Sequence, residues 1–154
     1  MEGLERLVLE QPLFHGLEPR VGALISGCAR NVCFQSGAYV FREGASADEF
    51  YLVRQGVVAL EVHAPGQVPA MISTVGSGEI LGVSWLVPPY RCMFDARALE
   101  LTRAVGVDAR CLRRKCEADH DLGYEMIKRV AAQLAQRLHA TRLQMLDLYR
   151  SPAR

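Results

Sequence analysis

Hydrophobic positions change their period twice along this chain. Over residues 2 to about 30, Leu4, Leu7 and Val8 share one helical face. Pro12, Gly16 and Pro19 then interrupt, and VGALISGCA resumes the helical spacing, so short helices joined by a turn are predicted. From Asn31 the pattern becomes short runs of β-branched and aromatic residues, VCF, AYVF, FYLV, VVALEV and AMISTV. Gly37, Gly44, Gly56, Pro65-Gly66, Gly76 and Gly78 punctuate them. Turn signals every seven to twelve residues across about eighty residues predict an all-β unit, a roll or jelly-roll barrel. After ALELTRAVGV the helical period returns. Asp108 can cap a short helix, ARCLRRKCEA, and Asp119 or Asp121 a longer one, because their carboxylates accept the free amide hydrogens of a first turn. The predicted fold is mainly β with flanking helices: N-terminal helices over 1–30, a β-roll core over 31–108 and C-terminal helices over 109–154, all one domain.

The long C-terminal helix carries a second message. No proline falls between Asp121 and Arg150, and Ile127, Ala131, Leu134, Leu138, Met145 and Leu148 follow a four-three spacing, with Thr141 in the one polar slot. Met126, Val130, Leu143 and Leu146 widen the stripe. One face is expected to pack on the roll while the four-three seam meets another helix, giving a homodimer. The alternative is that the whole stripe covers its own core. A helix of nearly thirty residues, roughly 40 Å by its rise, outreaches a small roll, which favours the dimer.

Composition narrows the class. Of 154 residues, 50% are hydrophobic and 23% charged, the mixture of a globular protein with one core. Arg30, Arg42 and Arg54 break the apolar runs of the first third, so no membrane span is expected. The start, MEGLERLVLEQP, carries acids where a signal peptide needs positive charge, so a cytoplasmic location is expected. A net charge of +1 predicts no strong general affinity for nucleic acid, although ten Lys or Arg face five acids from Arg110 onward. Five cysteines, an odd number at low density, predict reduced thiols.

One stretch is specific. QSGAYVFREGASADEFYLVRQGVVAL resembles the first signature of cyclic-nucleotide-binding domains, the sensory part of the catabolite-activator and FNR-type regulators. The matching residues are Gly37, Val40, Phe41, Gly44, Phe50, Tyr51, Leu52, Val53, Gly56 and Val58. Gly37, Gly44 and Gly56 suit tight turns at positive φ, and the apolar residues between them alternate into a barrel. VGSGEILG, from Val75 to Gly82, resembles the second signature, so the likeness runs over roughly residues 10 to 148.

The same resemblance exposes a deficit. The family's phosphate cassette reads approximately G-E-x-x-G-E-x-A-L, followed some ten residues later by R-S/A-A; backbone amides face the phosphate, the arginine neutralises it and the glutamate takes the ribose hydroxyl. Gly78, Glu79 and Gly82 match, but Val83 stands at the ribose glutamate's place. The arginine's place falls on Met93 or Cys92, depending on the direction of alignment, and Arg91 misses by one or two residues. Losing the charge partner of a buried phosphate costs about 3–5 kcal/mol, enough to turn a micromolar site millimolar, so ordinary cAMP or cGMP binding is not expected. The altered cassette comprises Gly82, Val83, Ser84, Trp85, Tyr90, Arg91, Cys92 and Phe94. Its aromatics and the Pro88-Pro89 pair either fill the nucleotide's space or line an apolar pocket for a different small molecule. The loop is also similar to that of small stand-alone members of the family.

Family transcription factors continue into a winged helix-turn-helix, whereas this sequence stops at Arg154, so direct sequence-specific DNA binding is not expected and a protein partner would carry any such effect. Cys28/Cys33 and Cys111/Cys116 repeat a four-residue gap without forming a metal set: a five-residue helical step turns Cys111 away from Cys116. Some relatives bind haem through an axial His or Cys, which makes His15, His63, Cys92, His120 and His139 the candidate ligands should this chain do so. Cys92 is the candidate redox thiol. No nucleophile, base and acid occur in an enzyme motif, and Glu43, Asp48 and Glu49 read as solvated turn residues, so catalysis is not supported. Two functions stay open: a sensory module with an atypical ligand, and a ligand-free dimeric adaptor.

Overall fold

Pro12 and Pro19 divide the N-terminal region as their missing amide hydrogens require. In a computed structural model describing residues 2–150, α1 (Glu2–Leu9), a 3₁₀ turn (Pro12–Phe14) and α2 (Pro19–Ser26) are followed by eight strands. These are β1 (Ala29–Phe34), β2 (Tyr39–Phe41), β3 (Glu49–Gln55), β4 (Val58–Val62), β5 (Ala70–Val75), β6 (Ile80–Leu81), β7 (Asp95–Ala98) and β8 (Thr102–Asp108). Two four-stranded antiparallel sheets result, ordered β1-β8-β3-β6 and β2-β7-β4-β5. A second 3₁₀ turn (Ser84–Leu86) interrupts the path from β6 to β7, and α3 (Ala109–Ala118) and α4 (His120–Arg150) close the chain. This is the mainly-β jelly roll with flanking helices that the alternating pattern predicts.

The run FYLV in β3 is apolar at every position because both faces of its sheet are covered. Phe50 and Leu52 join Ile80, Val105 and Val107 in a core beneath the helices, with Phe14, Ile25, Leu112, Leu122 and Met126. Tyr51 and Val53 turn to the other side and meet Val58, Val75, Leu81 and Ala96 inside the roll. The two-residue period of a strand thus shares one segment between two cores. Gly56 adopts φ 108°, and a Cβ there would lie 2.7 Å from the Thr102 Cα, so the turn from β3 to β4 admits only glycine.

Asp108 caps α3, accepting the Cys111 amide at 3.0 Å. Of the two candidates for α4, Asp119 is the cap, accepting the Leu122 amide at 3.2 Å, and Arg20 holds it in place at 2.8 Å. Helix α4 buries Leu122, Met126 and Val130 and leaves Ile127, Ala131, Leu134, Leu138, Met145 and Leu148 exposed. Leu143 and Leu146 join the exposed side.

Two expectations are corrected. Cys28 and Cys111 form a disulfide, with Cα atoms 5.8 Å apart, leaving Cys33, Cys92 and Cys116 free. Their 83-residue separation hid the pair; pairing of Ala29 with Val107 sets the start of β1 against the end of β8, and Cys111 follows on the first turn of α3. Of the three acids read as solvated, Glu43 is exposed and Asp48 keeps a half-exposed side chain, whereas Glu49 is more covered. Arg30 donates to both Glu49 oxygens at 2.7 and 2.9 Å, and Arg110 reaches Asp48 at 3.1 Å.

Candidate functional site

The loop from Gly78 to Phe94 is held at three places. At its start, β6 pairs with β3 through Tyr51–Leu81 and Leu52–Ile80, and β6 is the outer strand of its sheet. Side chains of α4 satisfy the unpaired edge: Gln133 Oε1 accepts the Ile80 amide at 3.0 Å, and the Arg137 guanidinium donates to the Ile80 carbonyl. Arg137 also reaches Glu79 at 3.5 Å. Burial lowers the Arg137 pKa below the ordinary arginine value despite the carboxylate beside it.

In the middle, Gly82 takes φ 93° and lets the chain turn beside Phe41 and Phe50. Val83 follows, partly buried against the core beneath the helices, and begins the Ser84–Leu86 turn. Trp85, only 1% exposed, stacks on Phe50 with ring centroids 4.5 Å apart and an interplanar angle of 10°. Its indole nitrogen has no hydrogen-bond partner among the described residues. The Trp85 carbonyl accepts from Arg113 of α3 at 2.8 Å, and the same guanidinium lies 4.3 Å from the Tyr90 ring centroid. Tyr90 sits at φ 56°, a left-handed conformation that costs energy for a side chain of this size.

At its end the loop runs beside residues 44–47. The Ala47 amide donates to the Tyr90 carbonyl, the Cys92 amide to the Ala45 carbonyl and the Gly44 amide to the Cys92 carbonyl, each at 2.8 Å. Arg91 bridges to Ser46. Side chains alternate accordingly, with Arg91 exposed, Cys92 buried, Met93 exposed and Phe94 half-buried. Burial, reinforced by Asp48, pushes the Cys92 thiol above its ordinary pKa, which disfavours the reactive thiolate expected of a redox sensor.

The eight cassette residues named from the sequence are therefore neighbours along one loop without lining a single space. Trp85 and Tyr90 turn to the helices, Arg91 to solvent and Cys92 inward. Sequence reasoning missed Arg113, Gln133 and Arg137, whose charge or amide groups looked like ordinary helix surface. It also missed a polar cluster on one face of the second sheet. There, Arg97 donates to both oxygens of buried Glu61 at 2.8 and 3.0 Å. Next to it, buried Asp95 accepts the Glu43 amide at 2.7 Å and contacts His63 and Arg42. The period-two placement of Glu61 with His63, and of Asp95 with Arg97, was the available signal. Among the described residues, no three His, Cys, Asp or Glu side chains gather as a metal set.

The family model for the cyclic nucleotide-binding domain matches residues 31–119, from β1 through the whole of α3. The chain belongs to the cyclic nucleotide-binding domain family. Among curated cyclic nucleotide-binding domain relatives, it is 28% identical over 145 residues to a CRP-like cAMP-activated global transcriptional regulator of Mycobacterium tuberculosis. That alignment covers 94% of this chain and 63% of the regulator's length. A cyclic nucleotide-binding protein from Geobacter metallireducens superposes with a TM-score of 0.80 at 30% identity, over 90% of this chain and 100% of that one. The catabolite activator protein of Thermus thermophilus gives a TM-score of 0.67 at 27% identity, over 90% of this chain and 62% of that one. Regulatory cyclic nucleotide-binding domains thus share both the roll and the helix that follows it. Among the described residues, no helix is long and apolar enough to cross a membrane.

Proposed function

We propose that this chain is a non-catalytic sensory domain whose altered cassette, Gly82, Val83, Ser84, Trp85, Tyr90, Arg91, Cys92 and Phe94, does not take cAMP or cGMP in the family's usual way and reports through α4. The observation that carries this reading is the placement of the two positions that should read a nucleotide. Val83 offers only an aliphatic group against the core, and Arg91 is exposed, while its neighbour Cys92, the inward residue, brings no charge. A phosphate in the roll would lack the cation that offsets its desolvation.

The route to α4 is physical. Arg113 grips the loop at Trp85 and Tyr90, and Gln133 and Arg137 grip β6, so a shift of the loop changes contacts on both C-terminal helices. A ligand acts through such a link only by its different affinity for the two arrangements. The exposed seam of α4 then meets a second copy, giving a homodimer, or a protein partner that carries the signal onward.

Trp85, buried and stacked on Phe50, favours a second reading, a ligand-free dimeric adaptor. Thermal melting with cAMP, cGMP, cyclic dinucleotides and haem separates the alternatives: stabilisation by a compound other than cAMP or cGMP supports the sensor, and none at all supports the adaptor. Low micromolar cAMP raising the melting temperature by several degrees would overturn the altered-cassette reading.

A further inference from the structure

A cleft of about 510 Å³ opens on the outer side of the cassette loop, between it and helices α3 and α4. Its walls are Trp85, Leu86 and Tyr90 from the cassette loop and Tyr124 and Ile127 from α4. A volume of this order accommodates a small organic molecule, and a mostly apolar wall with few polar groups is the usual make-up of such a site.

The polar group at its edge is Arg113. Among the described residues this half-buried guanidinium forms no ion pair, and its one hydrogen bond goes to the Trp85 carbonyl at 2.8 Å. The guanidinium carbon lies over the Tyr90 ring, 4.3 Å from the centroid, a cation–π contact that helps hold the side chain in place. An arginine has five N–H donors, so most of its capacity is uncommitted, and a fixed guanidinium is suited to a carboxylate-like anion. His120, exposed at the rim, adds a second donor-capable ring, and Glu117, also exposed, is the one acid of the lining. Tyr90 holds this geometry from a positive φ, a conformation that packing must enforce.

We propose that this cleft binds a small, flat aromatic anion, its ring against Tyr90 and Tyr124 and its acidic group on Arg113. The site lies outside the roll, on the helix side of the loop. The inference rests on the sensory reading above for its consequence: the occupant bridges the cassette to α4 and alters how the two meet.

The test uses 8-anilinonaphthalene-1-sulfonate, a fluorescent aromatic sulfonate, on the whole chain carrying Leu138→Asp to suppress binding along the exposed seam. The expected result is saturable one-to-one binding that slows alkylation of Cys116, a half-buried thiol in the cleft lining, by iodoacetamide, while exposed Cys33 reacts at an unchanged rate. Arg113→Gln should weaken the affinity about tenfold or more, and Arg113→Lys should recover part of it. No saturable binding, no selective protection of Cys116, or an Arg113→Gln variant of unchanged affinity overturns the site. Circular dichroism of each variant shows whether it is folded, and the Lys variant, which keeps the charge, decides the matter should the Gln variant unfold. None of these failures touches the sensory reading itself, which stands or falls on the nucleotide titrations.

Discussion

Arg97 closes on Glu61 with both arms of its guanidinium, Nε to Oε1 at 2.8 Å and Nη2 to Oε2 at 3.0 Å, across β7 and β4. The arginine holds the Glu61 carboxyl below its ordinary pKa of 4.5, more than burial raises it. Burial pushes Asp95 up, but the Glu43 amide, His63 and Arg42 together outweigh it and hold that carboxyl below 3.8. A depressed carboxylate stabilises the fold above its unfolded pKa and loses that contribution as pH falls through its folded one.

Stability should therefore be steady from pH 7 down to the ordinary values of 4.5 for Glu61 and 3.8 for Asp95, then fall. Glu61→Gln should cost about 1–3 kcal/mol at pH 7 and flatten the acid limb, because a charge-assisted pair is lost and one titrating group with it. Urea unfolding at a series of pH values measures both; equal acid limbs in the two proteins would show that the pair contributes nothing.

Reduction should lower stability substantially. The Cys28–Cys111 bridge closes a loop spanning 83 residues of separation, which in the chain-entropy account stabilises by about 4.5 kcal/mol. Mass spectrometry after alkylation should count three free thiols before dithiothreitol and five after, with a lower denaturation midpoint in the reduced protein. Cys33→Ser, at an exposed position, should lower the two thiol counts to two and four and leave the shift in midpoint unchanged.

Leu134→Asp and Leu138→Asp should convert a dimer into monomers without unfolding the roll, since both leucines are exposed on α4, at 39% and 51%. Each buries about 1.5–3 kcal/mol of apolar contact when a partner covers it, so one charge in the seam is enough to shift a micromolar equilibrium. Sedimentation velocity at micromolar concentration reads the change, and a wild-type monomer removes the dimer.

Trp85→Ala should cost about 3–5 kcal/mol, the range for emptying a buried aromatic site, whereas Trp85→Phe should cost less because the indole nitrogen has no partner to lose. As the chain's single tryptophan, Trp85 also makes intrinsic fluorescence a direct report on the loop, and its emission should redden only when the stack on Phe50 opens.

What the sequence disclosed follows from how local each cause is. Strand alternation, turn glycines and the Asp108 cap act over a few residues, so the roll and α3 could be read directly. The face change between Arg91 and Cys92 was visible for the same reason. The Cys28–Cys111 bond, the Arg113 grip on the loop and the Gln133 and Arg137 contacts join residues that only tertiary packing brings together. Trp85 illustrates the boundary: its bulk announced burial, but whether it turned into the roll or toward the helices depended on Phe50 and the path of a 3₁₀ turn.

Strand β6 is two residues long, and Gln133 and Arg137 occupy the backbone groups that another strand would otherwise seek. The helix that presents the seam is thus also a guard against aggregation. Any event that lifts α4 from the roll leaves a bare strand edge open to pairing with a neighbouring molecule, so the size of a conformational response in this chain is bounded by its solubility.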